Sequence, residues 1–360
     1  MDCTTLAYKS IGDQQILLDI YLPSQCHLQS SHHWQSSKGL PTIVYFHAGG
    51  LMAGTRATWI PVWLFNRALT RGYAVLSADY RLLVPCTGHQ ILEDVRDLFT
   101  FVSKDLNRIL FSSSKDGRRI DPESIVVAGS SGGAFCAYLA AIHANPKPKG
   151  VLSIYGMGGD VMCPHYLTEK TSPFFHGRPL MDPTEWSEFL HPISPGLPWT
   201  SAQPIAYAPQ DSADPGCPIY PRMLVPRLYL QLGTFLDYFT GEHEPNISGR
   251  LRQALEGSYD SPISPEKLRP LVPKQHLPIF PQVNLSSSFP PTFLIHGEAD
   301  SAVPVRESRN MYESLKRLAV MVELRLISGK EHSFDYKPGA EAEHSVVFNE
   351  AINFIDRCFT

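Results

Sequence analysis

The residues best suited to chemistry lie in one stretch, Ser124-Ile125-Val126-Val127-Ala128-Gly129-Ser130-Ser131-Gly132-Gly133-Ala134. A β-branched run stops at a glycine, two serines and two glycines follow, and a small-residue helical segment, Ala134 to Ala144, opens. Gly129-Ser130-Ser131-Gly132-Gly133 fits G-x-S-x-G, a strand–turn–helix elbow that exposes a nucleophilic serine, with Ser131 central. Such a turn strains the serine's backbone, so its neighbours must be small. A serine hydroxyl also needs a base to take its proton, and the base needs an orienting carboxylate. After an elbow of this kind they follow in the order acid, then histidine, each on a loop beyond a strand. Asp300 follows the strand-like Phe293-Leu294-Ile295, and His332 follows the strand-like run Met321 to Ile327. Glu298 reads as an exposed loop acid and His344 falls within a predicted helix, so both are poorer candidates. The pattern selects Ser131 as nucleophile, His332 as base and Asp300 as acid.

Attack on a carbonyl creates an oxyanion, which needs fixed N–H donors. The apolar run Pro41 to Phe46 delivers His47-Ala48-Gly49-Gly50 to a loop. Gly49 and Gly50 can offer unobstructed amides there, and Gly132, next to the serine, supplies another. His47 reads as a structural residue holding that loop.

The elements needed to position these groups can be read around them. Leu6–Ser10 and Gln15–Leu22, separated by Gly12-Asp13, form a predicted antiparallel hairpin. Pro41–Phe46 has the continuous apolar character of a strand buried on both faces. Further strands are predicted at Tyr73–Ala78, Gly150–Tyr155, Thr292–Gly297 and Met321–Ile327. Helices are predicted at Pro61–Arg71, His89–Leu106, Val305–Leu318 and Glu341–Cys358. This alternation implies an α/β fold with a mostly parallel sheet and helices on both faces. The segment from about 157 to 288 breaks the rhythm, holding about twenty of the 31 prolines. It reads as an insertion between two strands, with Pro226–Thr240 as its best helix. The organisation expected is therefore core 1–156, a cap insertion 157–288, and core 289–360.

Composition excludes several classes. The net charge of −4 gives no footprint for nucleic acid, and the chain has no unbroken apolar stretch long enough for a membrane span. Residues 1–21 carry charges and no apolar signal core, and seven scattered cysteines without CxxC spacing fit a cytoplasmic setting. His27, His32 and His33 lie in a polar stretch, Ser24 to Gly39, without companion ligands, so neither a metal nor another cofactor is indicated.

Together His47-Ala48-Gly49-Gly50, Asp79-Tyr80-Arg81-Leu82, Gly129 to Ala134, Asp300 and His332 make the chain resemble α/β-hydrolases of the hormone-sensitive-lipase and carboxylesterase type. The resemblance covers roughly residues 1–155 and 289–360. It implies an α/β-hydrolase fold and a serine hydrolase acting on carboxylic esters, and the function expected is that of an esterase, lactonase or thioesterase-like enzyme for a bulky apolar acyl compound. The triad would be Ser131, Asp300 and His332, with Gly49, Gly50 and Gly132 as oxyanion donors. Ala48 and Ser130 depart from the H-G-G-G and G-D-S-A-G-G patterns of that family. Asp300-Ser301-Ala302-Val303-Pro304 is similar to the acid loop of prolyl-oligopeptidase-type peptidases, which leaves amide substrates open. The long insertion is similar to that of hydrolases of fungal secondary metabolism, which keeps an acyltransferase or non-hydrolytic cyclase open. A receptor-like binding protein of this fold would lack the histidine that His332 supplies. Trp186, Trp199, Tyr207, Phe235 and Phe239 are candidates to line an apolar substrate pocket, or equally to pack in the cap's own core. The partner expected is a small ester or acyl compound; oligomeric state is left open.

Overall fold

A computed structural model describes residues 1–24, 27, 39–113, 118–209, 211, 217–257 and 263–360. Most of the polar stretch Ser24–Gly39, His32 and His33 included, lies outside the described residues, as do 114–117 of the charged loop before the elbow.

The strands are β1 (Thr4–Ile11), β2 (Gln14–Tyr21), β3 (Leu40–Phe46), β4 (Ala74–Ala78), β5 (Ile120–Ser130), β6 (Gly150–Ile154), β7 (Thr292–Gly297) and β8 (Val322–Ile327). They form one eight-stranded sheet in the order β1-β2-β4-β3-β5-β6-β7-β8. β1 and β2 make the expected antiparallel hairpin, β2 joins β4 antiparallel, and the remaining six strands run parallel. The five parallel strands β3 to β7 are almost wholly buried, which explains their continuous apolar runs.

Alternation along β3 sends its side chains to two cores. Val44 and Phe46 enter one, with helices α2 (Gly88–Lys104) and α4 (Gly132–His143). Ile43 and Tyr45 enter the other, with α1 (Val62–Thr70) and the carboxyl-terminal helix Ser345–Phe359. α2 starts on a capping box in which the Thr87 side chain accepts from the His89 amide and Gln90 reaches back to Thr87. A short helix, α3 (Leu106–Ser113), follows it.

Two predicted helices are interrupted. Pro226–Thr240 is two helices, α5 (Val225–Leu232) and α6 (Phe235–Thr240), because Gly233 takes a left-handed conformation at φ 63° and ends the first. The last helix is preceded by a separate turn, Ala340–Glu343. Between them His344 sits at φ −111°, ψ 15°, its ring edge-on to Phe334.

Among its described residues the segment between β6 and β7 is short helices, helical turns and extended chain, and its backbone is tied to the loops of the core. Gly54 and Gln203 exchange two hydrogen bonds, at 2.6 and 2.9 Å, and the Leu82 amide donates to the Thr200 carbonyl. The buried Arg222 guanidinium donates to the carbonyls of Leu83 and Val84. On the far side the Ser301 hydroxyl accepts from the His176 amide.

Candidate active site

β5 ends at Ser130 and α4 begins at Gly132, leaving Ser131 alone between them at φ 53°, ψ −122°. That conformation is costly for a residue with a Cβ and persists because its surroundings impose it. Its amide donates to the Ile154 carbonyl, and its own carbonyl accepts from Ala134 and Met157. The glycines are required by space. A Cβ on Gly129 would lie 2.2 Å from the Gly133 carbonyl oxygen, and one on Gly133 would lie 2.0 Å from that of Phe46. Ser130 is fully buried, with its hydroxyl accepting from Tyr45, so the neighbouring serine is committed to the core.

Ser131 Oγ lies 3.0 Å from His332 Nε2, and His332 Nδ1 lies 2.6 Å from Asp300 Oδ2. Asp300 stands on the loop after β7, where its other oxygen accepts from the amides of Ala302 and Val303. Burial opposes ionisation of this carboxyl, but His332 and His296 hold it far below the usual carboxylate range. Burial likewise disfavours the imidazolium of His332, and the Asp300 carboxylate more than compensates, leaving it a stronger base than free imidazole. Glu331 adds to this through its negative charge, and its carboxylate accepts from the amides of Ser301 and His332. The three residues singled out by order along the chain are thus joined in one hydrogen-bonded line.

The structure adds groups that motif reading did not select. His296, at the end of β7, reaches Asp300 Oδ2 at 3.2 Å and is anchored by Ser308 and the Val303 carbonyl. The one signal for it was a polar residue at the end of an apolar strand. Tyr155 packs edge-on against His332 while its hydroxyl donates to Asp335, which also accepts from Trp63 Nε1. These link the base to the second core.

The loop after β3 meets the amino terminus of α4. A Cβ on Gly132 would stand 3.0 Å from the Gly50 nitrogen, so the two amides are neighbours. The Gly132 amide, at the first helical position, has no carbonyl one turn back to bond. Gly49 and Gly50 both have positive φ, at 118° and 61°, and the Gly49 carbonyl turns away to accept from Met52 and Ala53. His47 is buried beneath this loop, stacked on Tyr80 at 4.4 Å with Nδ1 against the Ala48 carbonyl, and Tyr80 donates to the His47 carbonyl. Burial lowers the His47 pKa to about 4, so it is neutral and structural. Asp79 and Arg81 flank that tyrosine with ion pairs of their own, to Arg56 and to Asp94.

Ser131, His332, Gly49 and Gly50 face a cavity of about 510 Å³, a size suited to a small organic molecule. Of the five aromatic residues singled out in the insertion, Tyr207 and Phe235 line it. Trp186, Trp199 and Phe239 do not. Phe239 is fully buried among Phe135, Phe235 and Phe280, and the two tryptophans pack partly buried against the same core. Sequence carries no signal that separates a lining ring from a packing ring, because both need the same residue type. Trp59 and Tyr336, from the core loops, and Tyr166 and Phe175, from the insertion, complete the aromatic wall.

Comparison with known proteins agrees with this architecture. Residues 18–151 match the family model described as BD-FAE, and residues 264–360 match that of the prolyl oligopeptidase family. A probable carboxylesterase of Phoma sp. is 24% identical over 335 residues, covering 91% of this chain and 88% of that protein. A non-reducing polyketide synthase of Stereocaulon alpinum is 28% identical over 349 residues, covering 92% of this chain but 12% of the synthase. The chain therefore spans about an eighth of the length of the polyketide synthase it matches. Among solved structures, a thermophilic esterase of Thermogutta terrifontis aligns with 99% of this chain and 93% of its own, at TM-score 0.55 and 16% identity. A Staphylococcus aureus protein of unknown function aligns at TM-score 0.60 and 19% identity, over 99% of this chain and all of its own. The expected fold class, a mostly parallel sheet between helices, is borne out.

Proposed function

We propose that this α/β-hydrolase of the hormone-sensitive-lipase and carboxylesterase type cleaves carboxylic esters of bulky small molecules through an acyl-enzyme on Ser131. The observation that carries the reading is the unbroken line Asp300–His332–Ser131, ending at an aromatic cavity. His332 Nε2 takes the Ser131 proton as Oγ attacks the carbonyl carbon, while its Nδ1–H stays donated to Asp300. The amides of Gly49, Gly50 and Gly132 receive the charge that develops on the carbonyl oxygen. The imidazolium then returns its proton to the departing alcohol. Water repeats the sequence on the acyl-enzyme and frees Ser131. Residues 157–288 act as a cap: their ties to the loops at Gly54, Leu82 and Ser301 hold Tyr207 and Phe235 over the serine.

A fluorophosphonate probe tests the assignment directly. It should label the protein at Ser131 and leave Ser131→Ala unlabelled; labelling at another serine would overturn it.

A second reading has its own support. Several polyketide synthases match this chain over 92–98% of its length, each through only 12–14% of the synthase. In that reading Ser131 takes its acyl group from a thioester, the thiol leaving with a proton from His332. The acyl-enzyme is then cleaved by water to the acid, or by the acyl chain's own hydroxyl to a lactone, in secondary metabolism. Product analysis with a thioester bearing an internal hydroxyl separates lactone from free acid. The match to the prolyl oligopeptidase family supports amides as a further substrate class, tested by the corresponding anilide. A non-catalytic receptor has the least support, since His332 is present and in line.

A further inference from the structure

Two guanidinium groups, Arg178 and Arg227, line the cavity with Lys337 and His176, and among the described residues no carboxylate lines it. This is unusual for arginines drawn away from water, which are ordinarily paired. Among the described residues neither Arg178 nor Arg227 has an ion pair or a side-chain hydrogen bond, and Arg227 Nε is buried without a partner. Arg227 sits on α5 between Pro226 and Leu230, which also line the cavity, so the helix fixes its direction. Burial lowers its proton affinity, and the like charge of Arg178, on the wall of the same cavity, lowers it further. Glu331, the acid beside His176 at 3.4 Å, is engaged by the backbone amides of Ser301 and His332.

Leaving two cations unpaired in a part-buried cavity costs stability, and an anionic ligand would offset that cost. A planar carboxylate can take two parallel N–H donors from a guanidinium, a geometry that lysine does not provide. Around the pair the wall is aromatic, with Trp59, Tyr166, Phe175, Tyr207 and Phe235. We infer that the compound bound here is an aromatic acid derivative whose free carboxylate is held by Arg178 and Arg227 while its ester carbonyl is presented to Ser131. The placement of that carbonyl rests on the acyl-enzyme reading above; the recognition of the carboxylate does not.

Calorimetric titration of 2-naphthoate, and separately of the uncharged 2-naphthamide, onto the Ser131→Ala protein tests the recognition without turnover. The naphthoate should bind roughly tenfold to a hundredfold more tightly than the amide. Raising salt should shrink the difference. Arg178→Gln with Arg227→Gln should abolish it, and the corresponding lysine pair should restore part of it. Should the glutamine pair fail to fold, Arg227→Gln alone carries the same comparison. Equal affinities for the two ligands, including no measurable binding of either, overturn the inference, as does a preference that survives the glutamine substitutions. Loss of fluorophosphonate labelling in the unmodified protein would strike the acyl-enzyme reading and leave the naphthoate result standing.

Discussion

In the proposed mechanism Ser131 and His332 divide the chemistry between a strained backbone and a tuned base. Replacing His332 with alanine removes the proton acceptor, and Asp300→Asn leaves the imidazole without its orienting charge. Either should lower kcat by about ten-thousandfold, and the double variant by little more, because such residues act as a unit. His344→Ala should keep near-normal turnover, since that ring is packed against Phe334 and Phe348. The pH profile carries a sign. His332 must be unprotonated to act as base, and its pKa is raised by Asp300 and Glu331 against the opposing effect of burial. kcat/KM should therefore rise with pH through an apparent pKa above the ordinary imidazole value. Glu331→Gln withdraws one of the charges that raise it, so the acid limb should move to lower pH. A limb that stays put would show that Glu331 has no electrostatic part.

The elbow and the loop after β3 work as elements. A methyl group on Gly133 would stand 2.0 Å from the Phe46 carbonyl oxygen, against backbone that cannot yield cheaply. Gly133→Ala should destabilise the fold by ~3 kcal/mol or more, seen as a lowered denaturant midpoint. Tyr80→Phe is a gentler probe of the oxyanion loop. It removes the hydrogen bond to the His47 carbonyl and keeps the stacked ring. About 1 kcal/mol of stability should be lost, and kcat should fall more than KM rises if the loop holds the donors in place. Equal change in both would assign the tyrosine to packing alone.

Across the whole molecule, the insertion supplies both cavity-lining and self-packing aromatics, and kinetics should tell them apart. Tyr207→Ala and Trp59→Ala enlarge the cavity and should change the ratio of kcat/KM for a bulky and an acetyl ester. Trp186→Ala and Trp199→Ala should leave that ratio where it was. Phe239→Ala empties a fully buried site and should cost about 3–5 kcal/mol, measured by chemical unfolding. Uniform losses on both esters for every aromatic variant would remove the cap's role in selectivity. Among the described residues no helix is long and apolar enough to cross a membrane.

Much of this is legible in the sequence. The elbow could be read because only glycine fits beside Ser131, and the sheet because parallel strands buried on both faces are continuously apolar. The order serine, acid, histidine located Asp300 and His332 because each must leave the same end of a parallel sheet. Those constraints act on residues near in sequence, or on their order along it. The breaks at Gly233 and His344 were not legible, because helical spacing continues through both. Nor was the sorting of the aromatics, or the support that His296, Glu331 and Tyr155 lend His332. The meeting of Arg178 and Arg227 belongs with these. They are separated by a proline-rich stretch without periodicity, and their shared exposure to one cavity is a property of how that stretch folds back over the core. A residue's type records that it must be buried or charged. Only the tertiary structure decides what it is buried against, and which charge is left without a partner.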